Sequence, residues 1–239
     1  KNISMLTTVI LAAGKGTRMK SSLPKVLHPI ASKSLVEHVI DTAKKLSDKS
    51  INLVVGHGAD EVKQHISTTE NINFIVQEQQ LGTGHAVQQA LPYLDDDSIV
   101  LILYGDVPLI KEKTLRRLIS VVDEKSLGLL TVTLKDSNGY GRIVRNDMDQ
   151  VIAIVEQKDA SENELLIKEI NTGVMAVNAS HLKEWLPQLS NKNAQGEYYL
   201  TDIIALAKSQ NISINTQQPA HEWEVLGVND RRQQAELER

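Results

Sequence analysis

The chain has 239 residues, no cysteine, and 26 Lys plus Arg against 30 Asp plus Glu, for a formal net charge of -4. That length buries one full α/β core, and the near balance of charge gives no broad basic face for nucleic acid or an acidic membrane. The lack of thiols excludes disulfides, thiolate catalysis and cysteine-held metals and fits a reducing, cytoplasmic setting, while aromatic residues at 3% are too few for stacking single-stranded nucleic acid.

Thr7–Ala13 reads as a first strand that runs into Gly14-Lys15-Gly16-Thr17-Arg18-Met19. Gly14 and Gly16 let the backbone approach an anion closely, with N–H groups turned toward it. Lys15, Arg18, Lys20 and Lys25 add positive charge, and no Asp or Glu occurs before Glu37. Pro24 restricts the backbone entering Lys25. Further along, Leu35, Val36, Val39, Ile40, Ala43 and Leu46 form one apolar helical face. Strands are expected at Ile51–Val55, Ile72–Val76 and Ile99–Leu103, followed by a helix with Leu115, Leu118, Ile119 and Val122 on its apolar side. Leu127–Leu134, Val151–Val155, Val174–Val177 and Val225–Val228 complete the expected strands. Lys135–Met148 is turn-rich and is expected to join strands of a small inserted antiparallel layer. Several strands show little polar alternation, as in parallel sheets covered on both faces. The βαβα order predicts an α/β fold, a Rossmann-like doubly wound, mostly parallel sheet. Ligands of such sheets bind outside the carboxyl ends of the strands, where the glycine loop lies. No apolar run approaches the roughly 20 residues of a membrane-spanning helix, and no signal-peptide layout is present.

The loop fails two common fingerprints: Met19 stands where a dinucleotide fold needs a third glycine, and no Gly-Lys-Ser/Thr ending follows. Asp106 closes an apolar strand, which suits either a carboxylate facing a crevice or a turn before Pro108. Gln77 lies among Gln79 and Gln80, as on a solvated surface. The scattered histidines show no paired spacing for zinc, and His85 reads as a support for its loop.

The glycine loop, followed by Pro24-Lys25, resembles the nucleotidyltransferases that make nucleoside diphosphate sugars. The likeness runs the length of the chain, through Gln80-Leu81-Gly82-Thr83-Gly84-His85-Ala86, Tyr104-Gly105-Asp106-Val107-Pro108-Leu109, Gly139-Tyr140-Gly141-Arg142-Ile143, Glu169-Ile170-Asn171-Thr172-Gly173 and Gln195-Gly196-Glu197-Tyr198-Tyr199-Leu200-Thr201-Asp202. Within that group it is similar to the uridylyltransferase domain of the bifunctional bacterial N-acetylglucosamine-1-phosphate uridylyltransferase and glucosamine-1-phosphate acetyltransferase family.

The resemblance implies Mg²⁺-dependent transfer of UMP from UTP to N-acetylglucosamine-1-phosphate, giving UDP-N-acetylglucosamine and pyrophosphate for cell-wall precursors. It makes Arg18 and Lys25 catalytic. It gives Leu11, Ala12, Ala13, Gly14, Lys25, Gln77, Gly82 and Thr83 to the nucleotide, and Tyr104, Gly105, Asp106, Gly141, Glu156, Asn171 and Asn229 to the substrate. Asp106 and Asn229 would hold Mg²⁺, with Asp230 the nearest rival to Asn229. The expected organisation is a nucleotidyltransferase domain over residues 1–228 and the start of a polar linker helix over 229–239. The family's C-terminal left-handed β-helix, which carries acetyl transfer and trimer assembly, has no hexapeptide array here, so a monomer without acetyl transfer is expected. Thymidylyl, guanylyl or cytidylyl transfer, or a non-catalytic nucleotide-sugar sensor, are the competing readings.

Overall fold

The parallel strands expected from the apolar runs are present in a computed structural model that describes residues 5–13, 25–56, 58–66 and 70–227. The first half of the chain runs β1 (Leu6–Ala12), β2 (Pro29–Ile30), β3 (Lys33–Ser34), α1 (Leu35–Lys44), β4 (Ile51–Val55), α2 (Ala59–His65), β5 (Ile72–Val76), α3 (Thr83–Ala90), β6 (Ile99–Tyr104) and α4 (Glu112–Ser120). The second half runs β7 (Ser126–Thr133), β8 (Arg142–Arg145), β9 (Val151–Val155), α5 (Glu162–Leu165), β10 (Glu169–Asn178), α6 (Ala179–Trp185), α7 (Ile203–Ser209) and β11 (Ser213–Gln217). The main sheet has the order β11-β7-β10-β6-β1-β4-β5. Along it β10 alone runs against its neighbours. β8 and β9 form an antiparallel hairpin that branches from β10 through the Ile170–Arg142 pair, which is the expected inserted layer.

The central strands lack polar alternation because both faces of the sheet are covered. In β1 and β6, Leu6, Ile10, Leu101 and Leu103 pack into the core beneath α1, α2 and α4. The intervening Val9, Leu11, Val100 and Ile102 pack into a second core beneath α3, α6 and α7. Each such side chain gains roughly 1.5–3 kcal/mol on burial. α1 starts on a complete capping box in which Ser34 accepts from the Glu37 N–H and the Glu37 side chain returns to the Ser34 backbone.

Three features differ from the sequence reading. Val225 is buried in a turn after the 3₁₀ segment Glu222–Glu224, and Leu226 and Gly227 belong to no strand. Val225 and Leu226 fill the α4 side of the core rather than extending a sheet, and Val228 lies outside the described residues. β8 lies inside the expected turn segment Lys135–Met148, and β10 begins at Glu169, ahead of its apolar stretch. β11, Ser-Ile-Asn-Thr-Gln, is a polar edge strand without a strand-like apolar signal.

After β1 the chain steps outward through β4 and β5, then returns to place β6 on the other side of β1. This reversal opens a crevice between the carboxyl ends of β1 and β6, the position where open α/β sheets bind ligands.

Candidate active site

The crevice brings Leu11, Ala12 and Ala13 beside Tyr104, Gly105 and Asp106. The Gly105 N–H donates to the Leu11 carbonyl at 2.9 Å. A Cβ on Gly105 would meet Ala12 Cβ and Val26 Cγ1, each at 3.3 Å, so glycine lets the end of β6 close on β1. Lys25 opens the 3₁₀ turn Lys25–Leu27, whose Val26 and Leu27 are buried. Its Nζ donates to Asp106 Oδ2 at 3.0 Å, with the two side chains 16% and 33% exposed. Asp106 therefore faces the crevice while standing in the turn that leads to Pro108, so both features its sequence offered are present. Gly227 comes close as well, since a Cβ there would lie 3.9 Å from Asp106 Oδ2.

Behind this pair stands Tyr104. Burial pushes its hydroxyl pKa up, with Glu156 and Asp106 adding to the shift, so the phenol remains neutral at working pH. Gly173 has φ +92°, and a Cβ there would sit 2.6 Å from the Tyr104 ring. The register of β10 on β7 shifts between Asn171 and Met175, and the Asn171 side-chain carbonyl oxygen accepts from the Gly173 N–H at 3.0 Å.

Farther along the same side, the Asn171 N–H donates to the Gly141 carbonyl at 2.9 Å. A Cβ on Gly141 would lie 3.3 Å from both Glu156 carboxylate oxygens. Glu156 Oε1 accepts from the Thr201 hydroxyl at 3.0 Å. Burial raises the Glu156 pKa, with the Thr201 hydrogen bond opposing and the Asp202 and Asp159 charges adding to the shift. Gly141, Glu156 and Asn171 thus form one wall, suited to neutral hydroxyl and amide groups.

The second wall follows β5. Gln77 is 2% exposed, so it does not share the solvation of its exposed neighbours Glu78 and Gln79. Its Nε2 donates to the Gly82 carbonyl at 3.3 Å and lies 2.8 Å from His85 Nδ1. Gly82 has φ +115°, and a Cβ there would strike the Tyr198 carbonyl at 2.6 Å. The Gly84 N–H donates to Tyr198 O at 2.7 Å, the Tyr198 N–H to Leu81 O at 2.8 Å, and the Leu200 N–H to the Thr83 hydroxyl at 3.0 Å. Two motifs more than a hundred residues apart are thereby laced together. Gly56 links this wall to β1, because a Cβ there would meet Gln80 Nε2 at 2.3 Å and Ala13 O at 3.1 Å.

Gly14, Lys15, Gly16, Arg18, Lys20, Pro24, Asn229 and Asp230 lie outside the described residues. Gly56, Gly173 and Thr201 were not singled out from the sequence. Gly173 and Thr201 stood inside motifs already recognised, whereas Gly56 carried no local signal. Among the described residues Asp106 belongs to no cluster of three or more His, Asp or Glu side chains. A single hard oxygen donor fits a cation that keeps water and substrate oxygens, as Mg²⁺ does, and not a cation held in a protein cage.

A family profile described as the MobA-like NTP transferase domain matches residues 8–189. The bifunctional protein GlmU of Cellvibrio japonicus is 59% identical over 98% of this chain and 52% of its own length. The GlmU of Marinobacter nauticus is 58% identical over 99% and 52%. The chain thus spans about half the length of these curated relatives. The fold superposes on a putative glucose-1-phosphate thymidylyltransferase from Bacillus anthracis with a TM-score of 0.71 and 16% identity, covering 90% of this chain and 87% of that one. It superposes on a UDP-glucose pyrophosphorylase complexed with UDP-glucose with a TM-score of 0.72 and 17% identity, covering 89% and 90%. At such identities these two matches speak for the fold. Among the described residues no helix is long and apolar enough to cross a membrane.

Proposed function

The chain belongs to the MobA-like NTP transferase domain family and is a nucleotidyltransferase, and from that premise we propose that it moves UMP from UTP to N-acetylglucosamine-1-phosphate in the cytoplasm. The observation that carries this reading is the Lys25–Asp106 pair at the switch point, flanked by one wall with an amide for a base and another with Glu156 and Asn171 for a sugar.

In the reaction, a phosphate oxygen of the sugar phosphate attacks the α-phosphorus of UTP. A new P–O bond forms, the α–β bridge breaks, and pyrophosphate leaves with the electron pair. A sugar phosphate has its second pKa near ~6, so the nucleophile is already ionised and no general base is needed. The protein's task is alignment and charge neutralisation. Lys25 is the described cation at the crevice, and Arg18 is proposed as the second. The backbone from Leu11 to Gly14 would carry the triphosphate, Gln77, Gly82 and Thr83 the uracil edge, and Tyr104, Gly105, Gly141, Glu156 and Asn171 the sugar.

Asp106 would hold Mg²⁺ together with Asn229, whose chain passes Asp106 at Gly227. Bound there, Mg²⁺ would offset charge on the phosphate oxygens. The test is pyrophosphate release from UTP and N-acetylglucosamine-1-phosphate, with and without Mg²⁺, beside the other nucleoside triphosphates and glucose-1-phosphate. Turnover with UTP and the N-acetylated sugar is expected. Turnover with another base would replace the uridylyl assignment, and binding without pyrophosphate would make the protein a sensor.

A further inference from the structure

Gln77 is an amide whose orientation is set by its surroundings. The Gly82 carbonyl can only accept, so the end of Gln77 that faces it at 3.3 Å must be the NH₂ group. The second hydrogen of that NH₂ points to His85 Nδ1 at 2.8 Å, which must then be the unprotonated ring nitrogen. The opposite nitrogen, Nε2, lies 3.2 Å from the Gln89 amide nitrogen, and that amide donates to the His85 carbonyl at 3.0 Å. Both ring nitrogens face NH₂ groups, but the contact at Nδ1 is the shorter by 0.4 Å and marks the accepting nitrogen, so the one proton of the neutral ring sits at Nε2 and no acceptor waits for a second. His85 also lies in the first turn of α3 (Thr83–Ala90), where the positive end of the helix dipole opposes a cation. Burial lowers its pKa in the same direction. With its NH₂ group held, Gln77 is left with Oε1, which accepts from no described residue. The Gly82 N–H likewise donates to none.

We propose that His85 is a positioning residue for base choice: its unprotonated Nδ1 holds the Gln77 NH₂, so that Oε1 is presented as an acceptor beside the Gly82 N–H donor. This inference rests on the reading of Gln77 as the base-facing amide. An acceptor next to a donor matches the N3–H and O4 of uracil. Cytosine reverses both groups, with an acceptor at N3 and an amine at C4. If the NH₂ were released, the amide could turn and offer a donor, and cytosine would no longer be refused. His85 thus acts on selectivity through an intermediary and touches no reacting atom.

The experiment compares kcat/KM for UTP and CTP, with N-acetylglucosamine-1-phosphate as acceptor, in the unsubstituted protein and in His85→Phe, His85→Asn and Gln77→Ala. A correctly placed pair of hydrogen bonds to a base edge discriminates by roughly 10- to 100-fold. His85→Phe is expected to erode the UTP:CTP ratio by about that factor without lowering kcat/KM for CTP. His85→Asn, whose Oδ1 can replace Nδ1 as acceptor, is expected to keep the preference. Equal losses for both nucleotides in His85→Phe, or an unchanged ratio, would overturn the proposal. An unchanged ratio in Gln77→Ala would instead refute the base-reading role on which it rests. Imidazole ¹⁵N spectra of the unsubstituted protein decide the point independently of how any variant folds. A His85 ring protonated at Nε2 alone is expected, and an Nδ1–H ring or an imidazolium at neutral pH would overturn the proposal.

Discussion

Lys25 and Asp106 lie 81 positions apart, yet each is placed by an element that the core holds: Lys25 opens a buried turn, and Asp106 stands two residues beyond β6. Lys25 is fixed by the burial of Val26 and Leu27, and Asp106 by the end of β6. A cation held this way costs no reorganisation when charge builds on a transferring phosphate. Lys25→Ala is therefore expected to lower kcat by ~10²-fold or more while leaving the thermal midpoint nearly unchanged, as followed by pyrophosphate release and calorimetry. Gly173 makes the opposite case. Its φ of +92° and the 2.6 Å approach to the Tyr104 ring leave no room for a methyl group, so Gly173→Ala is expected to cost about 1–3 kcal/mol, measured by denaturant unfolding. Both residues stood in recognisable motifs. For Gln77 the family likeness gave a nucleotide role where composition alone gave a solvated glutamine, because a glutamine-rich stretch looks solvated until Gly82 and His85 are seen to take up its amide hydrogens.

At the scale of elements, the C-terminal approach to Asp106 depends on one buried carboxylate. Glu224 is 0% exposed; its Oε1 accepts from the Lys111 N–H at 3.1 Å and the Thr114 hydroxyl at 2.7 Å, and its Oε2 accepts from the His221 N–H at 3.3 Å. It caps α4 from outside and pins the segment that carries Gly227. Glu224→Ala leaves buried donors unpaired, an expected loss of about 1–3 kcal/mol. It is also expected to raise the Mg²⁺ concentration needed for half-maximal turnover, measured by metal titration beside thermal unfolding.

The main helices and parallel strands were legible because their apolar residues follow the periods of a helix or of a doubly covered strand. β8 was hidden by arginines at both ends. Its Arg142 is buried because the Tyr140 and Leu165 carbonyls and Gln157 accept its hydrogens, a compensation that no local pattern announces. β11 was hidden by polarity tolerable at a sheet edge, and Val225 misled because the apolar pair Val225-Leu226 can fill a core from a turn.

For the molecule as a whole, two carboxylates set opposing pH dependences. Glu156 has its pKa raised above 4.5 by burial. The native state therefore holds its proton more tightly than the unfolded chain. The associated stability is complete below pH 4.5 and is lost as pH rises through the raised value. Glu169 is shifted the other way: burial opposes its ionisation, but hydrogen bonds from Arg145 and Thr131 prevail and lower the pKa. Its stability is present above pH 4.5 and is lost as pH falls through the lowered value. Glu156→Gln is thus expected to raise the unfolding midpoint at pH 7–8 while weakening sugar-phosphate binding. An unaltered midpoint together with unaltered binding would remove Glu156 from the site. The glycine loop and Asn229, outside the described residues, contribute to the functional assignment through sequence likeness alone.

β10 hydrogen-bonds to β6, β7 and β8, and this shared membership has a mechanical consequence. The hairpin bearing Gly141 cannot swing outward independently; any outward push is transmitted along β10 to Gly173 and the ring it cradles. On the proposed placement of the acceptor sugar, an oversized substituent would be penalised twice, once by crowding and again by the displaced phenol. Size selection and chemical alignment would then be mechanically linked through one ribbon of backbone.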